Sequence, residues 1–176
     1  IWNSYYFFTL YANVDGYKAQ FRTDSTQLVD RYVLAKTRAL VESVTEHLDS
    51  YDLAGACSDI TSFLDALNNW YIRRSRDRFW APGAVEAAAD KKDAFDTLYT
   101  VLHTLARVAA PLLPMVTEEI YRGLTGEESV HLTDWPDASE LPADPDLVAS
   151  IDRVRDVCST ALRLREYNGL RVRLPL

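Results

Sequence analysis

Four arginines and two tryptophans lie together in the stretch NNWYIRRSRDRFW, from Asn68 to Trp80. The arginines are Arg73, Arg74, Arg76 and Arg78, and Asp77 is the carboxylate among them. Guanidinium groups bind phosphates and base edges, while indole rings stack on unpaired bases. This mixture of residue types therefore indicates a surface for single-stranded nucleic acid.

The same arginines also have structural explanations. An apolar stripe along the preceding helix continues at three- and four-residue spacing from Tyr71 through Arg74 and Arg78, so these two are expected to anchor the bundle or a neighbouring domain. Arg73 can pair with Asp77 at i, i+4. Arg76 and Trp80 are then freer to meet RNA. RNA contact, pairing with another domain and a solvated helix face all remain open at this point.

The overall composition limits what such a surface can do. The chain has 176 residues, 48% of them hydrophobic, and a formal net charge of −7. An acidic protein is a poor general binder of nucleic acid, so any RNA contact must be local and DNA is not expected as a partner. No apolar stretch approaches the ~18 residues of a membrane span. The two cysteines, Cys57 and Cys158, lie far apart and predict neither a disulfide framework nor a zinc site.

Patterns that would indicate catalysis are absent from the sequence. There is no glycine-rich phosphate loop. The three histidines, His47, His103 and His131, fall on different elements and share no ligand spacing. Glu118 and Glu119 are adjacent and suit the first turn of a helix better than an acid–base pair. We therefore predict no catalytic residue and no metal site.

Helical periodicity runs through most of the chain and predicts an all-α bundle of about five main helices. The expected helices run from residue 25 to about 50, from 52 to about 79, from 90 to about 110, from 117 to about 124, and from 145 onwards, after Asp144 as cap. The exception is a short extended segment near residues 129–136. Strand signals are confined to pieces such as Leu170 to Leu174.

Several segments together resemble one protein family. Asn68 to Trp80 resembles the signature in the helical C-terminal part of isoleucyl-tRNA synthetases, a class I family. The stretches Trp2 to Tyr17 and Asp90 to Tyr121 resemble neighbouring segments of that family, as do SVHLTDWP and LRVRLPL. The similarity covers essentially the whole chain. It implies an anticodon-binding domain, in which residues 1–22 follow a catalytic core, residues 23–169 form the helical domain, and residues 170–176 begin a C-terminal extension.

The resemblance also sets expectations for partners and cofactors. The implied partners are the isoleucine tRNA and the catalytic domain of the same polypeptide, in the cytoplasm. The HIGH and KMSKS signatures and the editing domain are missing, and both ends look cut. We therefore expect a piece of a larger protein that does not catalyse on its own and has no cofactor. ATP and magnesium are implied for the full-length enzyme.

The tRNA-binding residues implied by the resemblance are Arg73, Arg76, Trp80, Arg74 and Arg78. Two alternatives remain: the corresponding domain of a valyl-tRNA synthetase, and a structural helical module that docks onto a catalytic domain. The aromatic residues of segment 1–22 are expected either to pack against the catalytic domain, leaving an exposed patch here, or to enter the bundle's own core.

Overall fold

The core is built around one long helix, Ala89–Ala109, which packs against four other helices. Its inward side chains include Phe95, Leu98, Leu102 and Leu105, and all four are completely buried. The structure is a computed structural model that describes residues 1–82 and 88–171. The helical face predicted for this element from its periodicity is confirmed.

The helices of the described residues are numbered in chain order. They are α1 (Trp2–Asp15), α2 (Leu28–Asp49), α3 (Leu53–Asp65), a π-helical segment (Ala66–Ile72), α4 (Arg73–Trp80), α5 (Ala89–Ala109), α6 (Pro114–Thr125) and α7 (Pro145–Tyr167). No β-strand occurs within residues 1–82 and 88–171. The predicted all-α bundle is confirmed. Gly83 to Ala87 and Val172 to Leu176, which include most of the LRVRLPL segment, lie outside the described residues.

Helix α1 is not amphipathic, because large apolar side chains lie on two opposite faces. Ser4, Phe8 and Ala12 are buried on the inner face. On the opposite face Trp2, Tyr6, Leu10 and Val14 are exposed, at 49%, 60%, 41% and 75% of their surface. One face of α1 therefore enters the bundle's own core, and the other forms an exposed apolar stripe. Packing of that stripe against a catalytic domain stays a prediction.

The segment between α1 and α2 crosses α5 and is held by two polar side chains of that helix. Asp96, which is buried, accepts hydrogen bonds from the Tyr17 hydroxyl and the Gln20 backbone N–H, each at 2.9 Å. Thr100 bonds both the N–H and the carbonyl of Arg22. The helix that was predicted from residue 25 instead begins at Leu28, and the Ser25 hydroxyl before it donates a hydrogen bond to Asp30.

Helices α2 and α3 form a hairpin that a histidine ties together. His47 lies near the end of α2, with Nδ1 3.0 Å from Asp52 and Nε2 3.3 Å from Asp59. Asp52 also caps α3 by accepting a 2.9 Å hydrogen bond from the Gly55 N–H. His47 thus has a capping role here. No group of three or more His, Cys, Asp or Glu side chains able to hold a metal ion occurs among the described residues.

The segment after α6 is fixed to it by a carboxylate. Glu118 accepts hydrogen bonds from the Ser129 hydroxyl and the Val130 N–H, each at 2.9 Å. Ser129 and Thr133 have extended backbones, and a single 3₁₀ turn, Val130–Leu132, lies between them. The predicted extended segment near 129–136 is therefore interrupted by this turn, which the Glu118 contacts stabilise. Gly126 ends α6 in the left-handed conformation, as predicted.

The chain divides into two compact units, Ile1–Ala143 and Asp144–Leu176. The second contains α7, which begins with Pro145 in its first turn and Asp144 as cap, accepting a 3.2 Å bond from the Leu147 N–H. The helix predicted from residue 145, with Asp144 as cap, is confirmed. The domain boundaries expected after residues 22 and 169 remain predictions.

Candidate nucleic-acid interface

The arginine run lies at the end of a long composite helix. Helix α3 passes into the π-helical segment Ala66–Ile72, which passes directly into α4. A π-helical turn contains about one residue more than an α-helical turn, and such turns are frequent at functional sites. The sequence had predicted one uninterrupted α-helix across this stretch. The widened turn therefore rotates α4 relative to an uninterrupted α-helix and changes the face on which each of its arginines lies.

The inner face of this composite helix is apolar and tightly packed. Tyr71, Ile72, Ser75 and Phe79 are all buried. The Phe79 ring packs edge-on against Phe95 of α5, with ring centroids 4.9 Å apart. Phe79 therefore locks α4 onto the core, so the orientation of the outer face is fixed by packing rather than by a mobile loop.

Arg78 points inward and is held by two aspartates. Its Nη1 and Nη2 donate to the two carboxylate oxygens of Asp30 on α2, at 2.7 and 2.8 Å. Its Nε donates to Asp90 Oδ1 at 2.9 Å, and Nη2 donates to the Asp90 carbonyl at 3.0 Å. This guanidinium joins α4 to α2 and α5. We therefore leave Arg78 out of the RNA surface proposed below, although it was one of the five candidates.

The electrostatics around Asp30 agree with that structural role. Asp30 is completely buried and also accepts hydrogen bonds from the Tyr71 and Ser25 hydroxyls, at 3.0 and 2.7 Å. Burial alone lowers the pKa of Arg78, but the hydrogen bonds and charge of Asp30 outweigh burial and raise it. Burial, followed by the Asp30 charge, raises the pKa of Tyr71 well above its ordinary value. Arg78 therefore keeps its positive charge where it contacts Asp30.

Arg74 is exposed and stacks on a neighbouring ring. Its guanidinium carbon lies 3.9 Å from the centre of the Trp70 ring, a close cation–π contact. Trp70 is half-buried, so the prediction that it enters the core holds only in part. The contact orders the Arg74 side chain while leaving it at the surface. Arg74 thus did not join the core stripe, contrary to the α-helical extrapolation across the π turn.

The remaining three candidates share the outer face of α4. Arg73, Arg76 and Trp80 are spaced by three and four residues, which places them within one helical face. Both arginines are exposed, and the Trp80 ring is 52% exposed, as its position had predicted. Among residues 1–82 and 88–171 neither arginine has a carboxylate at ion-pairing distance, so the predicted Arg73–Asp77 pair is not formed. These two charges are therefore available to a ligand.

One neighbour of this face was not singled out by the sequence. Tyr11 of α1 lies beside Trp80, with ring centroids 6.3 Å apart, and contacts Phe7 at 4.9 Å. Phe7 in turn packs against Phe79 at 5.1 Å. A continuous row of rings thus links the exposed Trp80 to the core. The signal available in the sequence was the aromatic N-terminal stretch, but its spacing could not show that it meets α4.

The outer face therefore offers two exposed guanidinium groups, a stacked Arg74 and an exposed indole held on a rigid helix. Such a surface can bind phosphates and stack one unpaired base, but it carries no nucleophile or acid–base pair. Among the described residues, no helix has the length and apolarity that a bilayer span requires.

Comparison with known proteins shows the family of the chain. The chain is 62% identical to the isoleucine–tRNA ligase of Leifsonia xyli, 54% to that of Nocardia farcinica and 56% to that of Corynebacterium efficiens. Each match covers all of this chain and 16% of the relative, so the chain spans about a sixth of the curated relatives' length. A profile of the anticodon-binding domain of tRNA ligases matches residues 30–176. The chain therefore belongs to the family of anticodon-binding domains of tRNA ligases.

Proposed function

We propose that this chain binds the anticodon region of the isoleucine tRNA as part of an isoleucine–tRNA ligase. The observation that carries the proposal is the outer face of α4, where Arg73, Arg76 and Trp80 are exposed in a protein of net charge −7. Within residues 1–82 and 88–171 neither arginine has a carboxylate at ion-pairing distance. Anticodon bases are unpaired, so they can stack on an indole while arginines hold the phosphates. The similarity to isoleucine–tRNA ligases supports the isoleucine tRNA over the valine tRNA.

The rest of the activity belongs to the longer polypeptide. In this proposal the catalytic domain of the same chain joins isoleucine to the tRNA with ATP and magnesium, in the cytoplasm. The 176-residue chain supplies recognition of the tRNA, since its candidate interface carries no nucleophile or acid–base pair. Repulsion between the acidic bulk surface and the RNA helps to orient the tRNA towards α4.

Binding across a salt series tests this function. Transcripts of the isoleucine and valine tRNAs are titrated with the 176-residue chain and with Arg73→Ala, Arg76→Ala, Arg74→Ala and Trp80→Ala variants. Each lost phosphate contact should lower the slope of log affinity against log salt by about 0.7 for single-stranded RNA. Loss of the Trp80 stack should weaken binding by about 1–3 kcal/mol at every salt concentration.

Arg122→Ala is the matched control, because Arg122 is an exposed arginine on a different helix, α6. It removes the same charge and should leave the slope unchanged. If the Arg122 and Arg73 variants lose the same affinity, the effect comes from the overall charge of the protein and not from the α4 face. Unchanged binding in all four α4 variants would remove this face from the RNA contact and favour a purely structural module.

A second role is favoured by the exposed stripe of α1. Trp2, Tyr6, Leu10 and Val14 form an apolar face opposite the core-facing side of the helix. Contiguous exposed apolar surface of this kind usually marks an interface. We propose that it packs against the catalytic domain of the same polypeptide. Hydrogen exchange within α1 should be slower in the full-length ligase than in the 176-residue chain, and equal rates would refute the docking.

A further inference from the structure

A cleft lies at the end of α5, far from the contact between Arg78 and Asp90 at the start of that helix. It has a volume of about 180 Å³ and is lined by the last turn of α5 and by the segment that follows α6. Its lining residues include Arg107, Pro111, His131, Asp134 and Trp135. Pockets for whole drug-sized ligands are larger, about 300–1,000 Å³, so this cleft can hold only one small part of a longer ligand.

The cleft contains a cationic fork that the protein only partly uses. Arg107 Nη2 donates a 2.7 Å hydrogen bond to the Asp134 carbonyl, which fixes the plane of the guanidinium. Its Nε is buried and has no hydrogen-bond partner among the residues that the structure describes. An unsatisfied donor on a charged group is costly, and an anion placed against the guanidinium would offset that cost electrostatically.

A stacking surface lies beside this fork. The Trp135 ring is 38% exposed, and its Nε1 donates a 2.8 Å hydrogen bond to Thr45 on α2. That bond uses the polar edge of the indole and fixes the ring. His131 is held in a similar way, with Nε2 3.2 Å from the Pro114 carbonyl. The cleft therefore pairs a fixed aromatic ring with a fixed cation, the combination that binds a nucleotide of a single strand.

We propose that this cleft is a second nucleotide-binding subsite, in which Arg107 takes a phosphate and Trp135 stacks a base. The choice of RNA as the natural ligand rests on the proposed function, whereas the subsite itself rests on the cleft. Asp134 is the carboxylate among the lining residues, and its charge opposes a phosphate. The subsite is therefore weak for a free mononucleotide and gains affinity from attachment to a longer strand bound elsewhere.

The test uses fluorine NMR of the 176-residue chain labelled with fluorotryptophan. The chain has four tryptophans, so Trp135→Phe and Trp80→Phe variants assign the two resonances needed. AMP, a short single-stranded oligoribonucleotide and inorganic phosphate are titrated in turn. The Trp135 resonance should shift saturably with AMP and with the oligoribonucleotide, and less with phosphate alone, which lacks a base.

Two substitutions sharpen the result. Arg107→Gln should weaken the AMP response about tenfold or more, since a hydrogen bond to a charged group is lost. Asp134→Asn keeps the carbonyl that holds Arg107 and should tighten binding about two- to fivefold. Because Asp134→Asn carries little folding risk, its failure to tighten binding counts against the subsite even if Arg107→Gln unfolds the chain.

The outcomes separate this proposal from the proposed function. A Trp135 response without a Trp80 response leaves the subsite standing and removes the α4 face. A Trp80 response without a Trp135 response overturns the subsite and leaves the α4 face in place. A Trp135 resonance that responds to neither AMP nor the oligoribonucleotide overturns the proposal.

Discussion

Arg78 and Asp30, which are 48 residues apart in the sequence, form a two-pronged ion pair with N–O distances of 2.7 and 2.8 Å. The Asp30 carboxylate is completely buried, and only 13% of the Arg78 side chain is exposed. A buried carboxylate depends on its donors, since removing one partner leaves an uncompensated charge. The pair therefore separates Arg78 from its three neighbours in the arginine run, although all four look alike in the sequence.

Arg78→Ala should lower the free energy of unfolding by about 3–5 kcal/mol, because Asp30 would stay buried without its cation. Chemical denaturation monitored by circular dichroism measures the change. Arg73→Ala is the control and should change stability by less than about 0.5 kcal/mol, as an exposed side chain with no ion pair in the part of the chain that the structure describes. The assignment fails if the two variants are equally stable. The double variant Arg78→Met, Asp30→Leu should recover part of the loss.

Arg74 and Trp70 provide a second contrast within the same run. Arg74→Gln should cost about 0.5–1 kcal/mol of stability, the value of an exposed cation–π contact. It should also change the fluorescence of Trp70, which Trp70→Phe identifies among the four tryptophans. Arg76→Gln removes the same charge without a ring contact and should leave that fluorescence unaltered. Identical spectra for both variants would mean that the stacking does not persist in solution.

Gly123 is required by a neighbour rather than by its backbone. A Cβ at this position of α6 would overlap the Tyr5 hydroxyl and lie 2.9 Å from Tyr5 Cζ. Gly to Ala inside a helix normally stabilises by about 1 kcal/mol. Here Gly123→Ala should instead destabilise by about 1–3 kcal/mol, because Tyr5 must move. The midpoint of thermal unfolding shows whether Gly123→Ala stabilises or destabilises the chain. Adding Tyr5→Phe to the Gly123→Ala variant should restore part of the lost stability. A stabilised Gly123→Ala would contradict the contact.

His103 should make the fold sensitive to acid. Its ring is enclosed by Phe21, Tyr99 and Tyr121. Burial, followed by the Arg107 charge, lowers the pKa of His103 from 6.5 to about 4. Between those values the unfolded chain takes up a proton that the folded chain does not. Stability is therefore lost as pH falls from about 6.5 towards 4, by up to about 3 kcal/mol.

His103→Gln should flatten this part of the stability profile, measured by denaturation at a series of pH values. The comparison is one of slopes, so a general loss of stability in the variant does not obscure it. The wild-type chain, measured at the same pH values, is the control. If His103→Gln keeps the wild-type slope, the buried histidine is not the source of the acid sensitivity.

The core helix could be predicted from the sequence because its apolar positions repeat at helical spacing over five turns. Phe95, Leu98 and Leu102 are buried as expected. The path of residues 17–22 could not be predicted, since it depends on Thr100 and Asp96, which lie more than seventy residues away. Periodicity reports local geometry, and such distant polar contacts leave no trace in it.

The candidate site shows the same division. The exposure of Trp80 could be predicted from its place at a helix end, and it is found at 52%. The different fates of Arg74 and Arg78 could not, because they depend on a ring four residues earlier and on a carboxylate from another helix. The cleft at Arg107 and Trp135 was also missed, since two segments distant in sequence form it.

The π-helical turn at Ala66–Ile72 holds about one residue more than an α-helical turn, so it sets the face that α4 presents to the core. If the same residues became α-helical, everything after them would rotate by about 100°. Phe79 would leave the core, Arg78 would lose Asp30, and the outer face would no longer carry Arg73 and Trp80 together. A one-residue deletion within 66–72 can therefore be absorbed by a return to α-helical spacing, whereas a deletion early in α4 would displace Arg78 and Phe79 and disable packing and RNA contact in one step.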